Sequence, residues 1–253
     1  MKNNNKLPLV SVIITYYQKK NFLKQTLDSI YNQSYRNYEL IFVYDDKDKN
    51  DLEFVRGLLK NFNKCKIILN NINIGVAKSR NKALKFCRGK YIALVDADDL
   101  WNKNKLIYQL KLMIKKDLTF SFTSYKHIDE DNKIIGQRKA HFDPQYHELI
   151  KSNCIGLSTV MFSKKILKNM KFSNLTSQED YALWLKLSRM GYKLSHIKKS
   201  LVLWRKTKNS LSSNLLNKLS NAFKIYYYLE NYNLIFSIYC VLVLSYNKLK
   251  KIT

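Results

Sequence analysis

A chain of 253 residues is long enough for one large α/β domain or two small ones, and a hydrophobic share of 46% is ample for a sizeable core. With 45 Lys+Arg against 19 Asp+Glu, the formal net charge of +26 favours an anionic partner: nucleic acid, an anionic membrane surface or a phosphorylated substrate. Its four cysteines (Cys65, Cys87, Cys154, Cys240) lie far apart and form no CxxC pair, which excludes a zinc knuckle and a disulfide framework and fits a reducing, cytoplasmic setting.

Only two prolines and six glycines occur, with no Pro/Gly/Ser-rich linker and no internal repeat, so one main domain with a C-terminal extension is expected. Met1 to Lys6 is polar and basic, and the apolar run after it is short and lacks a small-residue cleavage site, so no secretory signal is expected. Leu9 to Ile14 is near-continuously apolar, as a central parallel strand covered on both faces requires. It ends in Thr15-Tyr16-Tyr17-Gln18, a polar and aromatic cluster. Leu23, Leu27 and Ile30 recur at helical spacing and predict one buried stripe. Tyr38 to Tyr44 predicts a second strand ending in Asp45-Asp46, Ile67 to Leu69 a third, and Gly75 opens a helix over 76–86.

The fourth strand, Tyr91 to Val95, follows Gly89 and stops at three carboxylates, Asp96, Asp98 and Asp99. In extended chain Asp96 and Asp98 point the same way and can converge on one hard cation, half of a Mg2+ or Mn2+ site completed by water and phosphate oxygens. The same cluster also suits a solvated turn that caps the next helix. Strands alternating with helices imply right-handed βαβ units and a parallel sheet, in which ligands bind beyond the carboxyl ends of the strands. Thr15, Tyr17, Asp46, Asp96 and Asp98 would then share one rim. Such a rim suits a nucleotide: an aromatic face stacks on a base, and a carboxylate accepts from a ring N–H or a ribose hydroxyl. Tyr17 taken alone serves equally well as a packing aromatic.

Leu106, Leu110, Met113 and Ile114 predict another buried helical stripe, and Phe120 with Phe122 a strand. Asp129 to Asn132 reads as a turn before Lys133-Ile134-Ile135, giving a hairpin, and Ile155 to Phe162 reads as strand. His127, His141 and His147 lack metal-ligand spacing and receive no role. In Ser177-Gln178-Glu179-Asp180, Ser177 is the expected N-cap of a helix carrying Leu183, Leu187 and Met190 on its buried stripe and stopped by Gly191. Its two first-turn acids either complement the helix dipole or do chemistry. From Ala222 onward the chain is aromatic and aliphatic and closes on Lys248, Lys250 and Lys251. This apolar part is shorter than the ~20 residues of a spanning helix. Two uses fit it equally: peripheral attachment to the inner face of an anionic membrane, or docking on the core or a second subunit.

Taken together, Val10-Ser11-Val12-Ile13-Ile14-Thr15-Tyr16-Tyr17, Tyr44-Asp45-Asp46, Asn73 to Asn81, Ala93 to Asp99, and Glu179-Asp180 with Trp184 resemble, in order, bacterial family 2 glycosyltransferases. The resemblance runs from about Leu9 to Ser212. It implies the GT-A fold, a Rossmann-like, mostly parallel central sheet flanked by helices, here over residues 1–212, with a helical extension over 213–253. It further implies an inverting transferase with a nucleotide-sugar donor, most simply a UDP-sugar, a glycan or lipid-linked glycan acceptor of a surface polysaccharide, and Mg2+ or Mn2+ as cofactor. By position, Thr15, Tyr17 and Asp46 would hold the nucleoside, Arg80 would lie near it, Asp96 would approach the ribose and the metal, Asp98 would bind the metal, and Asp180 would be the general base. Glu179 and Trp184 would support it.

Two departures stand out. Lys47-Asp48 replaces the Gly-Ser that usually follows the Asp-Asp pair, removing a residue tolerant of positive φ. In Trp204-Arg205-Lys206-Thr207-Lys208, which resembles the family's loop over the diphosphate, Thr207 stands where a histidine is common, and Arg205, with Lys206 or Lys208, is left to neutralise phosphate. Two alternatives come from other classes. A sugar-phosphate nucleotidyltransferase would carry a glycine-rich loop after the first strand, and Thr15 to Lys20 has no glycine. A nucleic-acid-binding protein fits the charge, yet no reading motif occurs and the basic residues are spread along the chain.

Overall fold

The structure, a computed structural model, describes residues 7–138, 142–207 and 215–250. Strands and helices alternate through the first half: β1 (Val10–Tyr16), α1 (Lys20–Tyr31), β2 (Tyr38–Tyr44), α2 (Leu52–Leu59), β3 (Cys65–Leu69), α3 (Val76–Leu84) and β4 (Tyr91–Asp96). The second half runs β5 (Leu100–Trp101), α4 (Lys105–Lys115), β6 (Phe120–Ile128), β7 (Ile134–Arg138), α5 (Tyr146–Leu149), β8 (Met161–Ser163), α6 (Glu179–Arg189), β9 (Ser195–Arg205), α7 (Leu215–Lys224) and α8 (Leu234–Leu249).

One sheet of order β3-β2-β1-β4-β8-β6-β9-β5 results, with β7 paired to β6. Its β3-β2-β1-β4 block is parallel throughout. Beyond β4 the pairing is antiparallel except where β9 runs parallel to β6. The strands of the parallel block read as unbroken apolar runs because both faces are covered. On one face, Val10, Val12 and Ile14 of β1 pack with Leu23, Leu27 and Ile30 of α1 and Leu106, Leu110 and Met113 of α4. On the other, Ile13, Ile41, Val43 and Leu94 pack with Ala77, Ala83 and Leu84 of α3 and Leu183, Trp184 and Leu187 of α6.

Glycine has a structural reason at two of the expected punctuation points. Gly75, at the cap of α3, has φ of +85°. Gly89 lets the chain pass the first strand so closely that an added Cβ would lie 2.5 Å from the Ser11 backbone nitrogen.

Several expectations are corrected. Ile155 to Phe162 is not one strand: Leu157–Thr159 forms a 3₁₀ turn ahead of the three-residue β8. Ile114 and Met190, expected on buried stripes, are 43% and 47% exposed, each lying past the face its helix turns to the sheet. Ser177 does not cap α6. Gln178 holds that position with φ of 63°, and the Ser177 hydroxyl instead accepts from Asn221 Nδ2 at 2.9 Å. The 11-residue strand β9 was not read from the sequence at all.

That Asn221 bond belongs to a wider anchorage of the C-terminal helices. Ala222, Ile225, Tyr226 and Cys240 are buried in the same cluster as α6. Glu230 accepts from Tyr146 Oη at 2.6 Å and Arg189 Nε at 2.9 Å, and Tyr226 Oη reaches the Ile150 carbonyl at 2.6 Å. One face of the tail is therefore docked on the core.

Candidate active site

The carboxyl ends of β1, β2 and β4 line up by register: Thr15 pairs with Asp96 on one side and with Val43 on the other. Thr15 is half-buried and Tyr17, just past the strand, is 40% exposed, so both sit at the open rim. After β2 the two acids divide. Asp45 turns inward, where Oδ1 accepts from Asn70 Nδ2 and Ile74 N, both at 2.9 Å, and ties down the loop leading to α3. Asp46 closes its own turn by accepting the Asp48 N–H at 3.1 Å. This Asx turn, with Lys49 Nζ on the Asp46 carbonyl, takes over the work of the missing Gly-Ser, and Lys47 needs no positive φ.

Arg80 organises the centre. Buried to 4% exposure on α3, its guanidinium reaches Asp96 Oδ1 at 2.7 Å through Nη2 and Glu179 Oε1 through Nη1, with the Phe172 ring beneath it. A buried guanidinium needs such partners, and its planar fork is suited to holding two carboxylates at once. The consequence is positional: one side chain clamps the end of β4 to the first turn of α6, so Asp180 is held beside the acidic cluster. Burial, reinforced by the Glu179 charge and opposed by Arg80, pushes the Asp180 carboxyl up to about 7. Its Oδ1 accepts the Tyr181 N–H at 2.7 Å.

Asp98 projects from the turn after β4 and its Oδ2 lies 2.9 Å from Lys19 Nζ. Burial raises its proton affinity, and Lys19 works against that. Asp99 turns away from the rim and is fully buried, accepting from Ser158 Oγ at 2.5 Å and from the Arg205 N–H at 2.8 Å. Ser158 also accepts the Asp96 N–H at 3.0 Å, so one hydroxyl braces both flanks of the acidic turn.

The remaining predicted residues take other places. Trp184, one turn along α6 from Asp180, lies in the core, edge-on to Phe120 at 5.1 Å. Arg205, 2% exposed, donates to the carbonyls of Asp98, Asp129 and Glu130 and to Gln25 Oε1 and Asn132 Oδ1, all within 3.2 Å. Those bonds engage all five guanidinium N–H groups, so Arg205 fastens the acidic turn to the β6–β7 hairpin and is not held ready for phosphate. Lys208 and His141 lie outside the described residues. Burial pushes His127 down to about 4, leaving it neutral.

The donor set suits a hard divalent ion. Asp96 and Asp98 each give one oxygen to a basic side chain, and no larger cluster of His, Cys, Asp or Glu occurs among the described residues. Two carboxylates with water and substrate phosphate completing the shell is the ordinary manner of holding Mg2+. Sequence reasoning missed Lys19 and Ser158. The first had no local pattern, and the second was hidden by reading its segment as strand.

Comparison with known proteins bears on the family and the fold. The chain is 29% identical over 96% of its length, and 97% of the relative's, to TuaG of Bacillus subtilis, named for teichuronic acid biosynthesis. It is 31% identical over 88% of its length, and 92% of the relative's, to WfgD of Escherichia coli, a UDP-Glc:α-D-GlcNAc-diphosphoundecaprenol β-1,3-glucosyltransferase. Among solved structures, Staphylococcus aureus TarS with UDP-GlcNAc superposes with a TM-score of 0.70 at 21% identity, over 85% of this chain and 65% of that one. A Pyrobaculum calidifontis mannosyltransferase with GDP-Man and Mn2+ superposes at 0.69 and 17% identity, over 90% of this chain and 66% of that one. The nucleotidyltransferase and nucleic-acid readings give way before these matches. The profile described as Glycosyl transferase family 2 matches residues 11–175, and the chain belongs to that family of transferase enzymes.

Proposed function

We propose that the protein is a metal-dependent inverting glycosyltransferase that moves a sugar from a UDP-sugar to a hydroxyl of a growing, lipid-linked surface glycan. The observation that carries this reading is the Arg80 clamp, which gathers Asp96 and Glu179 and thereby Asp180 around one rim. Thr15, Tyr17 and Asp46 would hold the nucleoside, with Arg80 near it. Asp96 and Asp98 would hold Mg2+ or Mn2+, which supplies Lewis-acid stabilisation of charge on the departing diphosphate. Asp180, poised near neutral pH, accepts the proton of the acceptor hydroxyl as its oxygen bonds to the anomeric carbon. The bond from that carbon to the diphosphate oxygen breaks on the opposite face. One base and one displacement suffice, so configuration inverts.

A panel of nucleotide sugars screened by thermal stabilisation checks the donor. With Mn2+, UDP and UDP-sugars should raise the melting temperature, and EDTA should abolish most of the shift. Stabilisation by GDP-sugars alone would reassign the base.

The acceptor side of the proposal rests on α8. Ile235, Ile238, Tyr239, Leu242, Tyr246 and Leu249 are 47–82% exposed and recur along the face opposite Cys240, which is buried against the core. Both faces of this helix are thus apolar, and only one is covered. No helix among the described residues is long and apolar enough to cross a membrane. Lys248 and Lys250 end the stripe, and the chain carries a net charge of +26, so an anionic bilayer surface is the matching occupant. The diphosphoundecaprenol acceptor in the WfgD name is of the kind such a surface holds. Truncating the tail would open the core, so the test uses Ile235→Glu with Leu242→Glu. Wild type should float with phosphatidylglycerol vesicles and the double variant should not. Equal flotation, or a loss of dimer instead of a loss of flotation, contradicts the assignment.

A further inference from the structure

Lys19 lies where the β1–α1 loop meets the acidic turn, at the residue preceding α1. Its ammonium is 2.9 Å from Asp98 Oδ2 and 3.2 Å from Thr207 Oγ1, bridging the expected metal carboxylate to the position where related chains commonly carry a histidine. We propose that Lys19 is the resident cation of the diphosphate subsite: it holds Asp98 while the site is free of donor, and transfers to the donor's phosphate oxygens when a divalent ion takes Asp98. This rests on the reading of Asp98 as a metal ligand.

Three observations support it. First, a nucleoside diphosphate approaching Asp96, Asp98 and Asp180 brings negative charge to three carboxylates, and binding without a compensating cation would be repulsive. Second, the two arginines at the centre are committed. Arg80 lies between Asp96 and Glu179, and Arg205 has its donors on protein oxygens. A metal ion that competes for Asp96 would still leave Arg80 paired with Glu179, whereas the acid that pairs with Lys19 is Asp98 itself. Third, the side chains of Lys19 and Asp98 are 24% and 16% exposed, so the pair borders solvent and can exchange partners without opening the core. A compact ammonium on a flexible stem makes that exchange more readily than a planar guanidinium.

The pairing makes two effects of opposite sign. Removing Lys19 frees Asp98 for metal and at the same time removes positive charge from the diphosphate. Lys19→Gln should therefore tighten Mn2+ binding to the donor-free protein about threefold or more, read by the electron paramagnetic resonance of free Mn2+. It should also weaken UDP binding at saturating Mn2+ about tenfold, read by calorimetry. Lys19→Arg, which keeps the charge, should hold UDP at saturating Mn2+ within about threefold of wild type. UDP affinity at saturating Mn2+ unchanged in a folded Lys19→Gln, or equal losses in both variants, would overturn the proposal. Asp98→Asn separates the two readings. If it binds Mn2+ as wild type does, the metal assignment fails, and the Lys19 proposal with it. If it loses Mn2+ while Lys19→Gln behaves as wild type, the Lys19 proposal alone fails.

Discussion

Asp180→Asn should bind UDP and Mn2+ within about twofold of wild type while its turnover falls by roughly 10²–10⁴-fold, the contribution of a positioned base. The amide matches the carboxylate in shape and keeps an oxygen for the Tyr181 N–H, so the start of α6 should survive the change. The pH profile adds an independent check. Because burial raises the Asp180 carboxyl to about 7, the basic form grows as pH rises through that value, and wild-type turnover should climb with it. The variant should lose this limb. Stability should move the other way. A carboxyl whose folded pKa lies above its unfolded value of about 4 favours the fold at low pH and loses that contribution as pH rises from about 4 towards 7. Asparagine cannot ionise, so at pH 8 the variant should melt no lower than wild type. A lower melting temperature with lost UDP binding would give Asp180 a structural role.

Asp98→Asn is expected to reduce transfer by roughly 10²-fold or more and to make the remaining rate insensitive to Mn2+ or EDTA. An ion on a departing phosphate contributes several kcal/mol, and losing about 3 kcal/mol costs that factor. Asp98 projects from a turn whose shape is set by neighbours: Asp99 is fixed by Ser158 and by the Arg205 N–H, and the Asp98 carbonyl by Arg205 Nε. Loss of the Asp98 charge should therefore leave the turn in place. Rates in variant and wild type that respond equally to metal would remove Asp98 from the site.

The parallel half of the fold was legible because β1, β2 and β4 are buried on both faces and so carry uninterrupted apolar runs, and because Gly75 and Gly89 mark real backbone demands. β9 was not legible. Lys198 and Lys199 interrupt it, and its parallel pairing with β6 shifts register twice, so neither alternation nor a continuous run survives. The acids of the site were legible as motifs, but their mutual arrangement was not. Arg80 and Glu179 are 99 residues apart, and no local period announces that one will clamp the other. Arg205 shows the converse. Its charge and position suggested phosphate, whereas its hydrogen bonds assign it to bracing, a distinction that burial makes and sequence cannot. The tail was legible as apolar, and the structure adds that one of its faces is already spent on the core.

Calorimetric titration of UDP into wild type and Asp98→Asn, each with Mn2+ and with EDTA, is the most direct test of the acidic turn after β4 holding a metal-bound donor. The account predicts that Mn2+ strengthens UDP binding about tenfold or more in wild type and leaves the variant unchanged. The same gain in both proteins, or none in either, would contradict it.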